Sequence, residues 1–451
     1  MPFLLQYVTM NVSVQYQIRG DSSNQIAASI ENGIRGGKLR VGERLPTVRA
    51  LATRLRVSPT TVAAAYNALR VRGLVHGSGR RGTVINRRPP LLTRAVFPPP
   101  APGLRNLADG GPDPAMLPKL KPYLARLDGV PGKYGDAENR AALVKLAARQ
   151  FKSDGVVADS IAVVSGALDA VERVLQAHLR PGDMVAVEDP SYTGVLDLVA
   201  ALALVTEPVA IDDSGPLAAD LKRALKLGAK AFILTPRAQN PSGAALDRKR
   251  AAELRNVLAA FPDVVVIEDD HAGPVAGAPA ITLSGGRAHW ATVRSVSKSL
   301  GPDLRVSVIA GDGLTVARVQ GRQSLGPRWV SHILQDLVAM MWADAATPAI
   351  LRNAADTYAH RRRALIEALA HHGIEARGRS GLNVWVPVAE EAGVVNAMAA
   401  KGWAIRAGEC YRIKSAPGIR VTASTLPVEN ARKFAADLAV SIRPRTHAQS
   451  A

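Results

Sequence analysis

The fold of this chain is most tightly constrained by an alternation of short apolar runs with helical patterns after about residue 106. The runs are rich in β-branched residues and too short for ordinary helices, so we expect strands. They include residues 161–164, 184–187, 231–234 and 264–267. Strands that alternate with helices are typical of an α/β fold with a mostly parallel sheet, where ligands bind beyond the carboxyl ends of the strands.

The positive charge of the chain is concentrated near its beginning. The formal net charge is +19, and residues 1–88 hold 14 Lys and Arg against 3 Asp and Glu. Such a concentration favours a polyanionic partner such as nucleic acid. A solvated basic surface is the plainer alternative.

Within this basic segment the pattern predicts three helices followed by a hairpin. Residues 22–24, Thr47 and Ser58 are placed to cap the helices, and Pro59 suits the first position of the third. Two short strands then flank a basic glycine loop. A tight turn between the second and third helices completes an α/β winged helix-turn-helix. The three apolar stripes are Ile26, Ala27, Ile30 and Ile34; Val48, Leu51, Ala52 and Leu55; and Val62, Ala65, Tyr66 and Leu69.

Five residues of this segment are candidates for DNA contact. Thr60 and Thr61 present hydroxyl donors at the exposed beginning of the third helix, where phosphates or base edges approach. Arg49 lies off the apolar stripe of the second helix and can reach the DNA backbone or a guanine. Arg80 and Arg81 lie in the wing and can reach the minor groove. The alternative is a helical hairpin with charged faces.

The segment resembles the GntR family of winged-helix regulators. Residues 37–52, Gly-Lys-Leu-Arg-Val-Gly-Glu-Arg-Leu-Pro-Thr-Val-Arg-Ala-Leu-Ala, carry the likeness, and residues 57–62, Val-Ser-Pro-Thr-Thr-Val, continue it. The resemblance covers about residues 22–86. It implies that Arg49, Thr60 and Thr61 contact a double-stranded DNA operator.

The composition changes along the 451-residue chain and predicts that the chain is divided into four segments. They are an N-terminal tail (1–21), the winged helix-turn-helix domain (22–87), a Pro/Arg-rich linker (88–105) and a large domain (106–451). The single cysteine, Cys410, excludes an intrachain disulfide. The apolar start, residues 1–5, is short and has no basic segment before it, so we expect a tail rather than a signal peptide. With no apolar run of membrane-spanning length, a cytoplasmic protein without membrane contact is expected.

A lysine among small hydroxyl residues gives the large domain its strongest chemical pattern. Ser295, Ser297 and Lys298 fall within four residues, and Arg305 follows seven positions after the lysine. A lysine in this setting suits an imine with an aldehyde cofactor that also carries a phosphate. The pattern alone is weak, because Ser-Lys pairs are common on solvated loops.

Polar motifs follow each of the four apolar runs. Gly166 and Ala167 open a helix whose free N–H groups suit an anion, although an ordinary turn is the alternative. Tyr192 can stack on a flat ring or pack in the core. Asn240 can donate to a phenolate oxygen, although Asn-Pro usually marks only a turn. Asp269 can hold a pyridinium nitrogen protonated; metal binding or a helix cap is the alternative, and too few metal ligands stand nearby for a metal site.

The order of these motifs resembles the fold-type I aminotransferases, which use pyridoxal 5′-phosphate (PLP). The resemblance implies a PLP-dependent α/β domain and a homodimer. It assigns Lys298 as the Schiff-base lysine, Asp269 as the partner of the pyridine nitrogen and Arg420 as the clamp on an α-carboxylate. It also assigns the ring hydroxyl to Asn240, the stacking ring to Tyr192, and the phosphate site to Gly166, Ala167, Ser295 and Arg305, with Tyr134 directed toward the phosphate of the neighbouring subunit.

One departure concerns His271, which stands nearest the place where these enzymes carry a tyrosine that bonds the ring hydroxyl. Imidazole can donate, but its charge ordinarily changes near neutral pH. Efficient transamination is therefore in doubt. The same departure leaves open whether Asp269 or Asp270 meets the pyridine nitrogen.

The whole chain resembles the MocR subfamily of GntR-family regulators, in which a winged helix is joined to an aminotransferase-like domain. Residues 62–66, 82–85, 234–241, 269–271, 294–298 and 329–332 are closer still to a branch linked to control of vitamin B6 salvage. The resemblance implies a transcriptional regulator whose second domain senses PLP or an amino compound, in a domain-swapped homodimer. Because of the departure at His271, no residue is assigned as catalytic and residual turnover at most is expected. The alternative is a working aminotransferase with a fused regulatory domain.

Overall fold

A computed structural model describes residues 16–35, 38–40, 42–71, 74–77, 82–85, 100–127 and 132–442. The chain divides into two compact units, Met1–Leu92 and Thr93–Ala451. Most of the predicted linker and the predicted wing residues Arg80 and Arg81 lie outside the described residues. No helix in the described ranges combines the length and apolarity needed to cross a membrane.

The first unit has the order of elements that the sequence predicts. Helices α1 (Ser23–Arg35), α2 (Val48–Leu55) and α3 (Pro59–Val71) precede an antiparallel pair, β1 (Val75–Gly77) and β2 (Thr83–Ile85). The predicted stripes form its core, with Ile26, Ile30, Leu51, Val62 and Leu69 fully buried.

Local hydrogen bonds explain the boundaries of the short second helix. The Thr47 hydroxyl accepts from the Ala50 amide at 3.2 Å, which caps the start of α2. Arg56 ends it in the left-handed conformation, at φ 55°. The Tyr66 hydroxyl on α3 donates to the Pro46 carbonyl at 2.7 Å and so ties the third helix to the loop before the second.

The second unit is built around a large mixed sheet. Its strands are β4 (Ser160–Val164), β5 (Met184–Asp189), β6 (Val205–Asp212), β7 (Gly215–Pro216), β8 (Ala229–Leu234), β9 (Val265–Asp270), β10 (Trp290–Ser295) and β11 (Ser307–Gly311). In the described part of the chain, these eight strands pair in the order β4-β11-β10-β9-β8-β5-β6-β7. Strands β5, β6, β8, β9 and β10 run parallel, whereas β11 is antiparallel to both of its neighbours and β7 is antiparallel to β6. The predicted α/β class and the four predicted strands are confirmed.

Helices cover both faces of this sheet. The helices of this region are α4 (Lys121–Leu124), α5 (Ala141–Ser153), α6 (Ala167–His178), α7 (Thr193–Ala201), α8 (Ala218–Lys226), α9 (Arg248–Ala259), α10 (Gly313–Ser324) and α11 (His332–Ala343). On one face of the sheet, strand residues such as Ile233 and Ile267 pack against α6 and α10. On the other face, their neighbours in the strands, such as Phe232 and Val266, pack against α8 and α9.

A smaller layer follows the large sheet in the chain. Strands β12 (Asn383–Pro387), β14 (Arg406–Ala407) and β15 (Gly418–Thr422) form an antiparallel sheet in the order β12-β15-β14, and β13 (Trp403–Ala404) pairs with β3 (Arg105–Asn106). Helices α12 (Thr347–Ala370), α13 (Glu391–Ala400) and α14 (Val428–Ile442) complete this layer. Ile419 and Val421 of β15 point into its core.

A buried carboxylate fastens a C-terminal loop to the large sheet. Asp189, at the end of β5, accepts from the amides of Ile413, Lys414 and Ser415 at 2.7–2.9 Å. The Ser415 hydroxyl donates to the same carboxylate at 2.8 Å. This connection brings the segment that leads into β15 to the carboxyl edge of the large sheet, where the candidate site lies.

Candidate functional site

Lys298 stands just beyond β10, at the edge where the parallel strands end. Its ammonium group donates to the Gly110 carbonyl at 3.0 Å, and the side chain is partly buried. Burial lowers the pKa of Lys298 to about 8, and the positive charge of Arg420 lowers it further, while Asp109 and Asp269 oppose the shift. A substantial fraction of the amine is therefore neutral and nucleophilic near pH 8.

Asp269 is a buried carboxylate with an oxygen available to a ligand. The residue is 6% exposed, and its Oδ1 atom has no hydrogen-bond partner within the described chain. Burial raises its pKa to about 7, the neighbouring Asp270 raises it further and Lys298 lowers it. A buried unpartnered oxygen is costly, so this atom is placed to accept a proton donor that the chain does not supply.

Asp270 points to the opposite face of β9 and is fully engaged there. Arg237 bonds both of its oxygens, each at 2.8 Å, and Arg294 donates twice to Oδ2 at 2.8 and 3.1 Å. Both arginines also reach Asp154. These guanidinium groups hold the pKa of Asp270 well below its usual range, although burial opposes them. The sequence left the choice between the two aspartates open, and these contacts favour Asp269 as the ligand-facing residue.

The start of α6 lies against the Arg305 guanidinium. Gly166 caps the helix at φ 119°, and a Cβ atom there would lie 2.6 Å from the Arg305 guanidinium. Arg305 is exposed, and its Nη2 donates to the Ser165 carbonyl at 3.3 Å. Ala167 is the first residue of the helix. Free amides at a helix start beside a guanidinium suit a phosphate.

The Ser295 hydroxyl lies at the end of β10. It is buried, and it contacts the Ser297 hydroxyl at 3.0 Å and accepts from the Ser297 amide at 3.2 Å. The hydroxyl thus organises the turn that leads to Lys298.

Arg420 and Asn240 meet directly. The Nη1 atom of Arg420 donates to the Asn240 side-chain oxygen at 3.1 Å, and Nη2 donates to the Ala108 carbonyl. Arg420 is 3% exposed, its guanidinium lies over the Tyr411 ring at 5.1 Å, and its Nε has no partner in the described chain. This leaves a buried cation whose contacts here are neutral oxygens.

Tyr192 precedes α7 and is partly buried near the same groups. Burial raises the pKa of its hydroxyl, and the charges of Asp269 and Arg420 also act on it. Tyr192 therefore lies within electrostatic range of both charged groups.

The structure does not support the expectation that the charge of His271 changes near neutral pH. Burial lowers the pKa of His271 to about 4, and the charge of Lys298 lowers it further, while Asp270 opposes the shift. The imidazole is therefore neutral at pH 7, because a buried cation beside another cation is unfavourable.

Tyr134 is not brought to the other predicted site residues in the single chain. Its side chain is 84% exposed, and its ring contacts Trp329 edge-on at 5.8 Å and Arg328 at 5.6 Å. Its expected role at the phosphate of a neighbouring subunit stays a prediction.

The candidate DNA-contacting residues lie on the first unit. Arg49 on α2 and Thr60 on α3 are exposed, and Thr61 is partly exposed. The Ser58 hydroxyl lies 2.7 and 2.8 Å from the hydroxyls of Thr60 and Thr61, and it accepts from the Thr61 amide at 3.1 Å. This cap fixes the two threonines at the start of α3.

Several site residues have no recognisable motif in the sequence. The Gly110 and Ala108 carbonyls hold Lys298 and Arg420, although both precede them by about 190 residues or more. Glu188 is buried, Gln239 donates to it at 3.2 Å, and burial raises its pKa to about 8 while the charge of Asp269 raises it further. Only the tertiary fold brings these groups together, so no local signal identifies them.

The residues present fit PLP. The Oδ1 of Asp269, which has no partner in the described residues, offers an acceptor for a protonated ring nitrogen, and the missing side chain at Gly166 lets the Arg305 guanidinium lie against the start of α6, where it suits a phosphate. Lys298 offers an amine whose pKa burial lowers to about 8. An aldehyde, a pyridine nitrogen and a phosphate are the three groups of PLP that such a set recognises.

Two family descriptions match the chain. Residues 120–438 match "Aminotransferase class I and II", and residues 22–85 match "Bacterial regulatory proteins, gntR family". The α-aminoadipate aminotransferase LysN from Thermus thermophilus shares the fold, with a TM-score of 0.67 and 22% identity over 76% of this chain and 92% of that one.

Two relatives named as transcriptional regulators are more similar in sequence. "Vitamin B6 salvage pathway transcriptional repressor PtsJ" of Salmonella typhimurium is 42% identical over 425 residues, which is 93% of this chain and 98% of the relative. "HTH-type pyridoxine biosynthesis transcriptional regulator PdxR" of Corynebacterium glutamicum is 30% identical over 54% of this chain and 55% of the relative.

The fold and the site define a DNA-binding transcriptional regulator whose second domain is of the PLP-dependent aminotransferase type. The chain belongs to the MocR subfamily of GntR-family regulators, as the sequence predicted. The predicted likeness to a branch linked to vitamin B6 salvage is also confirmed, since PtsJ carries that description.

Proposed function

We propose that this protein is a PLP-sensing transcriptional regulator that controls genes of vitamin B6 salvage. The observation that carries the proposal is the set formed by Lys298, the unpartnered Asp269 oxygen and the Gly166–Arg305 seat, in a chain that also carries a winged helix. The names of PtsJ and PdxR support vitamin B6 genes as targets. Such a regulator works beside the chromosome, so we place it in the cytoplasm.

In this proposal, different site residues bind different groups of PLP. Lys298 would bind the aldehyde carbon with loss of water, Asp269 would hold the ring nitrogen, and the phosphate would be held by Gly166, Ala167, Ser295 and Arg305. Tyr192 packs on the ring, and Asn240 with neutral His271 faces the ring hydroxyl. When bound, PLP supplies an electron-withdrawing ring. Occupancy of the site shifts the placement of the DNA-binding domains, which requires that PLP bind two states with different affinities.

A domain-swapped homodimer is part of the proposal. The 84% exposure of Tyr134 and its aromatic contact with Trp329 favour a surface that a second subunit covers. In that arrangement Tyr134 approaches the phosphate bound by the neighbouring subunit.

Efficient transamination is not part of the proposed function. A neutral His271 takes the place at which the related enzymes carry a tyrosine, and its pKa of about 4 leaves it a weak acid–base group at pH 7. Turnover assays with several amino donors are expected to give residual activity at most. A working aminotransferase would instead turn over at rates of the order of 1–1,000 per second.

The DNA-binding assignment predicts a loss of affinity without a loss of PLP. Arg49→Ala, and Thr60→Ala combined with Thr61→Ala, are each expected to weaken operator binding by about 1–3 kcal/mol if a base edge is contacted. Loss of a phosphate contact would also reduce the salt dependence by about one unit of slope. Fluorescence anisotropy over a salt series measures both, and PLP absorbance serves as the folding control. Unchanged affinity and slope in both variants would contradict this docking.

The lowered pKa of Lys298 predicts the pH dependence of PLP capture. Only the neutral amine attacks the aldehyde, so the capture rate should rise with pH and level off above about pH 8. A lysine with an ordinary pKa near 10.4 would show a rate still rising at pH 10. Stopped-flow absorbance between pH 6 and 10 distinguishes the two profiles.

A further inference from the structure

An ion cluster lies on the face of the large sheet opposite to Asp269. Arg237 bonds each oxygen of Asp270 at 2.8 Å, through Nε and Nη2, and Arg294 directs its own Nε and Nη2 at Oδ2. Nη2 of each arginine also reaches Asp154, which follows α5, at 3.3 and 2.6 Å. Both arginines and Asp270 are buried, whereas Asp154 is partly exposed. The cluster therefore lies behind the candidate site and is held by its own charges.

Each buried member of this cluster stands close in the chain to one predicted site residue. The three pairs are Arg237 with Asn240, Asp270 with Asp269, and Arg294 with Lys298, at separations of three, one and four positions. In the sheet, Arg294 of β10 pairs directly with Asp270 of β9, and β8 pairs with β9 on its other side. The cluster thus connects the ends of three adjacent strands, and each of these ends leads into the site.

Alignment accounts for this cluster better than stability does. Taking ions out of water is costly, and apolar residues of similar volume often replace a buried ion pair without loss of stability. A guanidinium adds geometry, because its two N–H groups fix both the distance and the angle to a carboxylate. Arg294 is held further by the Phe151 ring, whose centroid lies 4.8 Å from the guanidinium carbon, and Arg237 donates to the Ala278 carbonyl at 3.3 Å. Both guanidinium groups therefore have a fixed direction.

We propose that Arg237 and Arg294 are positioning residues of the PLP site, which hold the ends of β8, β9 and β10 where their site residues reach one ligand. The inference rests on the proposed function, because it takes Asn240, Asp269 and Lys298 as residues that bind PLP. The two arginines act from the opposite side of the sheet and do not face the ligand. Loss of either two-pronged contact should therefore weaken PLP binding, although every ligand-binding group is still present.

The test uses Arg237→Lys and Arg294→Lys, which keep the positive charge but remove the planar pair of donors. Titration of the full-length protein with PLP, followed by visible absorbance, should give an affinity about tenfold weaker in each variant. This is the loss expected when a hydrogen bond to a charged group is misaligned. The pH midpoint of the visible absorbance of bound PLP should also shift by about 0.5 unit or more, because the distance between the Lys298 nitrogen and the Asp269 carboxylate changes.

Arg250→Lys is the matched control. Arg250 on α9 bonds both oxygens of Asp212 at 3.1 and 2.8 Å, so the substitution removes the same kind of contact. Asp212 ends β6, which β8 and β5 separate from β9 in the sheet. This variant should keep the wild-type PLP affinity and pH midpoint. Urea denaturation of the apo proteins reports separately on stability, and the urea midpoints of Arg237→Lys and Arg294→Lys should fall only slightly, because a charged partner for Asp270 is retained.

Three results would overturn the proposal. Wild-type PLP affinity and pH midpoint in Arg237→Lys and Arg294→Lys, with only a lower urea midpoint, would show that the cluster stabilises the fold and nothing more. An equal loss of PLP affinity in Arg250→Lys would show that the effect is not specific to this cluster. Failure of both cluster variants to fold would show that the cluster serves stability rather than alignment. A wild type that binds no PLP would contradict the proposed function, whereas a wild type that binds PLP beside unaffected cluster variants would contradict this inference alone.

Discussion

Replacement of Lys298 by alanine is expected to abolish covalent PLP capture completely. Lys298 offers a partly buried amine with a pKa of about 8, and the charge of Asp269 acts on it. None of the other site residues named above carries a primary amine that could form the bond. The variant should show no visible absorbance from covalently held PLP and no borohydride-trapped adduct on mass spectrometry.

Two controls make this result interpretable. Lys145→Ala removes an exposed lysine of α5 and should trap PLP as the wild type does. Operator binding by Lys298→Ala without PLP should equal that of the apo wild type, because the winged helix is untouched. If Lys298→Ala still traps PLP at the same site, the assignment of Lys298 is wrong.

The two adjacent aspartates are expected to respond oppositely to substitution by asparagine. Asp270→Asn leaves Arg237 and Arg294 with a buried neutral partner in place of a carboxylate that each arginine bonds twice. Breaking a buried ion pair costs about 3–5 kcal/mol, so the free energy of unfolding should fall by that order. Urea denaturation of the apo protein measures it.

Asp269→Asn should not lower the free energy of unfolding. It should weaken PLP binding by about tenfold or more, since it removes a charged acceptor from the ring nitrogen. The folded-state pKa of Asp269, about 7, is raised above its unfolded value, near 3.9. The apo wild type should therefore lose stability relative to Asp269→Asn as pH rises between these values. Equal PLP affinity in Asp269→Asn and wild type would contradict the assignment of the ring nitrogen to Asp269.

Local patterns were sufficient to predict the architecture. The winged helix followed from caps and stripes that lie within a few residues of one another, such as Thr47 with Ala50. The strands of the large sheet followed from β-branched runs, and the parallel order places Asn240, Asp269 and Lys298 at one edge. These features depend on residues that are close together in the chain, so the sequence alone is sufficient to predict them.

Choices between neighbours needed the tertiary structure. Because side chains alternate along a strand, Asp269 and Asp270 must point to opposite faces of the sheet. Which of the two binds Arg237 and Arg294 depends on the tertiary fold, since these arginines lie 33 and 24 residues from Asp270 in the chain. The pairing of Arg406 with Arg420 depends on the register of two short strands. The neutral state of His271 depends on its burial, which no motif reports.

The most direct test of the account is the affinity of the protein for its operator with and without PLP. The operator is first selected from random DNA with the purified protein. Coupling between two sites is typically about 1–3 kcal/mol, so PLP should change the wild-type affinity by at least about fivefold. Lys298→Ala should not respond, and Arg420→Ala should respond almost as the wild type does. If PLP leaves the wild-type affinity unchanged while an added amino acid shifts it only when Arg420 is present, PLP is not the signal and the central claim is wrong.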